Sequence, residues 1–340
     1  MTKDVRTDGD AGSCFDGRHN AGRILEFLHH PRLLFHLRKD DREIIIIFRI
    51  VFAGEADQRF GRNLGKRNRA ASSKRMLQGD RHANAFVKQL FISQIVQRNP
   101  VSVAEAIKGV DELFLLIGNV SDEFTQALTA YGLAKKAGLK DVTYLSVFKA
   151  DQFLEVPHFA AKYAVEEAIR AGGIPYTILR PGYFFQNERR LKPVLTGASV
   201  YPVPAGNQGI AVADVRDIAE AAAISLTEQG HKGKTYDLVS SEMLSGPDAA
   251  ATWSALLGKE IIYAGHADFD GFEAQLRKTG TPSWQAYDIR VMFQGYIERG
   301  FSNTEDQTAR FAAWLGRQPR TYSSFAEELA KEWAAEPAAA

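Results

Sequence analysis

His158 and Lys162 stand four residues apart in the run Pro157–Glu167, PHFAAKYAVEE. Four residues bring a side chain back to the same side of an α-helix. The pair joins an imidazole, which exchanges protons near neutral pH, to an ammonium with three donors. Together they could deliver a proton to a reacting group and hold a polar ligand beside it. Each also has a plainer reading. A His directly after Pro157 at a helix start can cap the helix or face solvent. Lys162 precedes Glu166 by four residues, so the two could pair on an exposed face, in the weaker orientation for such a pair. Tyr163 is one residue off the spacing and points elsewhere.

The surrounding elements decide whether these side chains meet a ligand. Asp111–Ile117 (DELFLLI), Asp141–Val147 (DVTYLSV) and Pro175–Leu179 (PYTIL) are continuous apolar runs. Such runs suit strands buried on both faces of a parallel sheet. Helical segments separate them: Ser102–Lys108 before the first, Phe124–Ala137 between the first two, Phe159–Ala171 before the third. Glycines stop these helices at Gly109, Gly138 and Gly172–Gly173. Alternating strands and helices predict an α/β fold with a doubly wound parallel sheet. Ligands bind at the carboxyl ends of such strands. That places Ile117, Gly118 and Asn119 after one strand, Ser146 on the next, and Phe184, Phe185, Gln186 and Asn187 after the third. Gly182 suits a close backbone approach or a simple turn after Pro181.

Beyond the third strand, Ile210–Ala213 and Thr235–Val239 read as strands, Pro247–Leu257 as a helix and Lys259–Tyr263 as a short extended piece. Asp214, with Asp217 three residues on, resembles a capping box that opens a helix through Leu226. The last eighty residues are largely helical and aromatic, and predict a smaller C-terminal substrate lobe from about residue 240. Ile289, Met292, Phe293 and Tyr296 recur at helical spacing, with Trp284 and Tyr287 just before. A stripe of this kind is core more often than pocket.

The chain has 340 residues, 45% of them apolar, and a formal net charge of +1, so nothing global points to nucleic acid or a membrane surface. The charge is unevenly spread. Residues 1–100 hold 19 Lys and Arg against 11 Asp and Glu, while every Tyr and Trp lies after residue 100. Residues 1–98 therefore read as an atypical basic segment. Only Glu43–Ala53 looks like a strand there, and Phe86–Val96 suits a short helix. The segment is either a basic arm for an acidic partner, nucleic acid included, built on Arg59, Arg62, Lys66, Arg67 and Arg69, or a stretch never selected for this fold, such as a shifted reading frame. Residues 99–340 read as the ordered domain. A lone cysteine, Cys14, rules out an internal disulfide and suits a reducing cytosol. No metal cluster, phosphate loop, signal peptide or membrane-spanning run appears.

The ordered segments Ala104–Leu116, Val142–Val147, Pro157–Glu167, Ile174–Asn187, Asp214–Ala222, Lys234–Val239 and Leu315–Phe325 together resemble the NmrA-like family of atypical short-chain dehydrogenases. The resemblance implies a Rossmann fold that binds NADP or NAD. Some members are reductases, and others sense the cofactor without turning it over. Lys162 matches the lysine that contacts the nicotinamide ribose and assists proton transfer in the family's reductases. His158 occupies the position four residues earlier, where the common short-chain dehydrogenases carry a tyrosine. The resemblance makes Ile117, Gly118, Ser146, Lys162, Phe184, Phe185, Gln186 and Asn187 the expected cofactor contacts.

The family opens with a strand and a Gly-x-x-Gly-x-x-Gly loop that cradles the pyrophosphate. Gly12, Gly17, Gly22, Gly61 and Gly65 do not reproduce that spacing. The leading expectation is an NAD(P)H-dependent oxidoreductase for a small carbonyl, quinone or conjugated substrate. It is expected in the cytoplasm, as a monomer or homodimer without membrane or nucleic-acid partners. The alternatives are a non-catalytic NAD(P)H sensor and a defective chain that lacks its pyrophosphate-binding unit.

Overall fold

A computed structural model describes residues 100–265 and 267–335, and within the first hundred the backbone of three strands, 32–39, 42–49 and 89–92. The elements in chain order begin with β1 (Arg32–Lys39), β2 (Arg42–Arg49), β3 (Gln89–Ile92), α1 (Pro100–Ile107), β4 (Glu112–Leu115), α2 (Glu123–Lys136), β5 (Asp141–Leu145) and α3 (Pro157–Ala171). They continue with β6 (Tyr176–Pro181), β7 (Tyr183–Phe184), β8 (Val200–Tyr201), β9 (Ile210–Ala213), α4 (Val215–Thr227), β10 (Lys234–Leu238), β11 (Met243–Leu244) and α5 (Gly246–Leu257). The chain closes with β12 (Ile262–Tyr263), α6 (Phe269–Lys278), α7 (Ser283–Arg299), α8 (Glu305–Leu315) and α9 (Tyr322–Ala335).

The main sheet is all parallel, in the order β10-β6-β5-β4-β3. Its strands are apolar on both faces because helices cover both. In β4, Leu113 and Leu115 pack with α1, α2 and α3, while Phe114 points oppositely into the layer of α4 and α8. That alternation is the two-residue period of a strand. Parallel strands need a covering crossover between neighbours, so the spacing of these runs and the layering have one cause.

The first hundred residues differ from the sequence reading at two places: Arg32–Lys39, not expected as a strand, is β1, and Phe86–Val96 holds a strand in place of the expected short helix. Within Phe86–Val96, Gln89–Ile92 is a strand that pairs in parallel with β4, with Leu90 opposite Leu113. A run this short is ambiguous by periodicity, and the open edge of β4 resolves it in favour of a strand. The expected strand at Glu43–Ala53 is β2, joined antiparallel to β1. Cys14, the glycines Gly12, Gly17, Gly22, Gly61 and Gly65, and the basic residues from Arg59 to Arg69 all lie outside the described residues.

The expected capping box at α4 is half present. Asp214 accepts the Arg216 backbone N–H at 2.8 Å, but Asp217 turns away to Arg317 at 2.7 Å and to Arg320. A complete box occurs instead at α8, between Thr304 and Gln307. The lobe beside the sheet is built on α5, α7 and α9, with Trp253 stacked on Trp333 and Tyr296 on Phe301. Its core also takes Phe185, Leu195 and Tyr201, which precede residue 240.

Candidate functional site

The carboxyl ends of β4, β5 and β6 open onto a cavity of about 270 Å³. The β4 end supplies Ile117, Gly118 and Asn119, the β5 end Ser146, and the segment after β6 supplies Tyr183, Phe184 and Asn187. His158 and Lys162 enter from the first turns of α3. The far wall is α7, through Ile289, Met292, Phe293 and Tyr296. That aromatic stripe is therefore both lobe core and pocket wall, because α7 lies between the two.

Lys162 is buried, and Glu166 is not its partner. Its Nζ lies 2.5 Å from Oε1 of Glu123, at the start of α2, and donates to the Ile117 carbonyl at 3.2 Å. Glu123 is 3% exposed, and burial raises its pKa against the opposing pull of Lys162 and His158. The contact has ion-pair distance without hydrogen-bond alignment. Glu166, fully buried, serves a second cluster. It accepts Ser146 Oγ at 2.5 Å, Arg180 through both oxygens at 2.9 and 2.7 Å, and Arg170 at 2.8 Å. The exposed-face pairing of Lys162 with Glu166 is thus corrected: α3 turns both side chains inward, onto different partners.

His158 is also held rather than free at the surface. Its Nδ1 lies 2.6 Å from Oδ2 of Asp288 on α7, off the hydrogen-bond direction. Its backbone N–H donates to Oδ1 of the same carboxylate at 3.0 Å, and Asn119 Nδ2 donates to Oδ2 at 2.8 Å. Burial alone would raise the Asp288 carboxyl. The His158 ring, the His158 backbone and Asn119 outweigh it, and the pKa is lowered.

The expected contact residues divide. Ile117, Gly118, Ser146, Lys162, Phe184, Asn187 and His158 all border the cavity. Phe185 and Gln186 do not. Phe185 is fully buried against Tyr322 and Phe325, both with ring centroids 5.7 Å away. Gln186 donates to Asp214 at 3.0 Å and accepts the Val215 N–H at 3.0 Å, which fastens the start of α4. The chain turns too tightly after β7 for four consecutive side chains to face one cavity. Ser146 borders the cavity, but its hydroxyl hydrogen points to Glu166. Gly182 does permit a close approach, to the chain's own β9. A Cβ there would stand 2.7 Å from the Ala211 carbonyl oxygen.

Glu123 and Asp288 escaped the sequence reading. Glu123 looks like an ordinary first-turn acid, and Asp288 meets His158 across 130 residues of chain. An acid inside the apolar stripe of α7 was the one available signal. Among the described residues no group of three His, Cys, Asp or Glu is arranged to hold a metal, and no helix is long and apolar enough to cross a membrane.

Among known proteins, quinone oxidoreductase 2 of Escherichia coli (strain K12) is 30% identical over 205 residues, covering 59% of this chain and 70% of that protein. The NAD(P)H azoreductase of Xenophilus azovorans is 27% identical over 49% of this chain, and the match spans little more than half of that relative, 58%. The solved structure of the E. coli NADPH-dependent quinone oxidoreductase with NADPH superposes with a TM-score of 0.62 at 26% identity, covering 68% of this chain and 81% of that one. The Citrobacter sp. triphenylmethane reductase with NADP(H) gives 0.60 at 26% identity over 69% and 81%. These are Rossmann-like reductases, and the doubly wound sheet described above is of that class. The model of the NmrA-like family matches residues 77–326, from ahead of β3 into α9 and well over half of the chain, and the protein is a member of the NmrA-like family.

Proposed function

We propose that this chain is an NAD(P)H-dependent oxidoreductase that reduces a small carbonyl, quinone or conjugated substrate. The observation that carries the reading is the placement of a buried lysine and a held histidine on one wall of the cavity at the strand ends. NADPH is the favoured donor, since the relatives named above were solved with NADPH or NADP(H). Their names as quinone oxidoreductase, azoreductase and triphenylmethane reductase favour flat conjugated acceptors.

The cavity suits the nicotinamide end of such a cofactor. Lys162, Asn187 and the backbone of Ile117 and Gly118 offer polar contacts, and Phe184, Phe293 and Tyr296 offer flat apolar ones. The residues ahead of β3, where the family carries its pyrophosphate-binding loop, lie almost wholly outside those described. The dinucleotide, when bound, supplies a hydride from C4 of its nicotinamide. Lys162 holds the ribose side, its ammonium fixed by Glu123 and the Ile117 carbonyl. His158 Nε2 gives one proton to the acceptor atom that gains negative charge, and water returns that proton to the ring. The rings of α7 exclude water and hold a planar acceptor by its faces. We place the protein in the cytoplasm, as a monomer or homodimer.

A non-catalytic NAD(P)H sensor is the second reading, favoured by His158 standing where the common short-chain dehydrogenases carry tyrosine. Titration of the full chain with NADPH and NADH, followed by calorimetry, tests the shared premise. Binding is expected, and no binding at millimolar dinucleotide removes both readings in favour of a chain without its pyrophosphate unit.

A further inference from the structure

α3 begins without a cap of its own. Its N-cap residue is Val156, whose side chain accepts nothing, and Pro157 follows. The first N–H groups of a helix have no partner within the helix and need an acceptor from outside. Asp288 provides it from across the cavity. Its Oδ1 takes the His158 backbone N–H at 3.0 Å, while its Oδ2 faces the His158 ring at 2.6 Å and takes Asn119 Nδ2 at 2.8 Å. Two hydrogen-bond donors, the His158 backbone N–H and Asn119 Nδ2, and the His158 ring at ion-pair distance therefore converge on one carboxylate of α7. A negative charge at a helix N-terminus is itself favourable. Asp288 is 1% exposed, so these partners are what offsets its burial.

The arrangement has a chemical consequence. An imidazole with Nδ1 turned to a carboxylate keeps its hydrogen on Nδ1, which leaves Nε2 to the other side. His158 borders the cavity, and its Nδ1 edge is the one turned away toward Asp288. We infer that Asp288 is a positioning residue: it fixes the rotamer and tautomer of His158 so that Nε2 faces the acceptor, and the substrate lobe thereby completes the proton-donating group. The inference rests on the reductase reading above. In the balanced step, the acceptor gains a hydride and one proton from Nε2, NADPH becomes NADP+, and the ring is reprotonated from water. Asp288 stays ionised throughout and holds the imidazolium before the transfer. Glu123 and Lys162 are charged groups close by, 2.5 Å apart, and Arg190 also borders the cavity.

The test has two arms. In the first, kcat and KM for NADPH-dependent reduction of a quinone are measured for the wild type, Asp288→Asn, His158→Gln and the double variant. Asn keeps the shape but loses the charge and one acceptor oxygen, so the amide cannot hold the His158 ring, the His158 N–H and Asn119 together. We expect Asp288→Asn to lower kcat tenfold or more, by no more than the about 10²–10⁴ that general acid–base assistance supplies in full. KM should change much less. In the His158→Gln background the same change should do almost nothing further, because residues acting as one unit are not additive. Full additivity, or a rise in KM with kcat unchanged, overturns the inference and leaves Asp288 as a helix cap alone.

In the second arm, long-range ¹H–¹⁵N NMR of the imidazoles at mildly alkaline pH reads the tautomer of His158, assigned by its loss in His158→Gln. An Nδ1–H form in the wild type, lost in Asp288→Asn, is expected. An Nε2–H form in the wild type overturns the inference. If the wild type reduces no acceptor, the reductase reading fails, while the spectrum still decides what Asp288 does to His158.

Discussion

The Lys162–Glu123 pair gives the sharpest energetic prediction, because its two halves do not behave alike when orphaned. The side chains are 10% and 3% exposed and 2.5 Å apart. Removing one partner of a buried pair costs about 3–5 kcal/mol, since the other charge is left without compensation. In Glu123→Gln the orphan is an ammonium without a counter-charge, left with the Ile117 carbonyl and the neutral amide oxygen as acceptors. Lys162 borders the cavity, so water reaches it, and the cost should fall near the lower end, about 3 kcal/mol.

In Lys162→Met the orphan is Glu123, whose carboxyl burial already raises. This carboxyl can become neutral by taking a proton. A group whose folded pKa lies above its unfolded value stabilises most at low pH and loses that contribution as pH rises. Lys162→Met should therefore be mild at about pH 5 and progressively worse toward about pH 8, whereas the cost of Glu123→Gln should shrink over the same range, because the wild-type carboxyl loses its own low-pH contribution. Urea unfolding of the full chain at the two pH values reads the difference as a shift in midpoint at constant slope. Costs below about 1 kcal/mol for both variants, alike at both pH values, would mean a water-screened pair and would refute the reasoning.

Three further predictions follow from contacts outside this pair. Glu188 is fully buried, receives Tyr201, Trp253 and Tyr322, and is pushed by burial from 4.5 up to about 7. The wild type should thus lose about 3 kcal/mol relative to Glu188→Gln as pH rises from about 4.5 to 7, at 1.36 kcal/mol per unit, and an equal pH response of the two proteins would contradict this. Gly182→Ala places a methyl 2.7 Å from the Ala211 carbonyl oxygen, a backbone atom that cannot swing aside. It should cost about 1–3 kcal/mol in urea midpoint measurements, and a neutral result would show that the β6–β9 approach is looser than described. Phe293→Ala opens the α7 wall where Phe293 packs on Tyr183 and Phe272. Its signature should be a raised KM for a planar acceptor with NADPH affinity unchanged, measured by steady-state kinetics beside calorimetry.

Much of this architecture is legible in the sequence for definite reasons. The runs DELFLLI, DVTYLSV and PYTIL are apolar without alternation, and only strands covered on both faces require that. His158 and Lys162 were readable as a pair because a helix repeats after four residues. Their environment was not. Glu166 looks like the natural partner of Lys162 in sequence, yet Arg180 claims it, and Arg180 belongs to a strand that only the fold brings alongside. Asp288 is an acid on the apolar stripe of α7, which hints at burial but names no partner. Its burial depends on α7 crossing the N-terminus of α3, a contact that no local pattern encodes. β3 was misread for the same reason, since a short apolar run takes the conformation of the neighbour it pairs with.

The central claim is that the cavity at the ends of β4, β5 and β6 is a reduction site served by Lys162 and His158. The most direct measurement mixes the full chain with NADPH and a panel of quinones and follows loss of the reduced nicotinamide together with gain of hydroquinone. The account predicts one equivalent of product per NADPH consumed, and a fall in kcat of at least about tenfold in both Lys162→Met and His158→Gln, with NADPH still bound. Bound NADPH that no acceptor oxidises, or turnover indifferent to both substitutions, would contradict it.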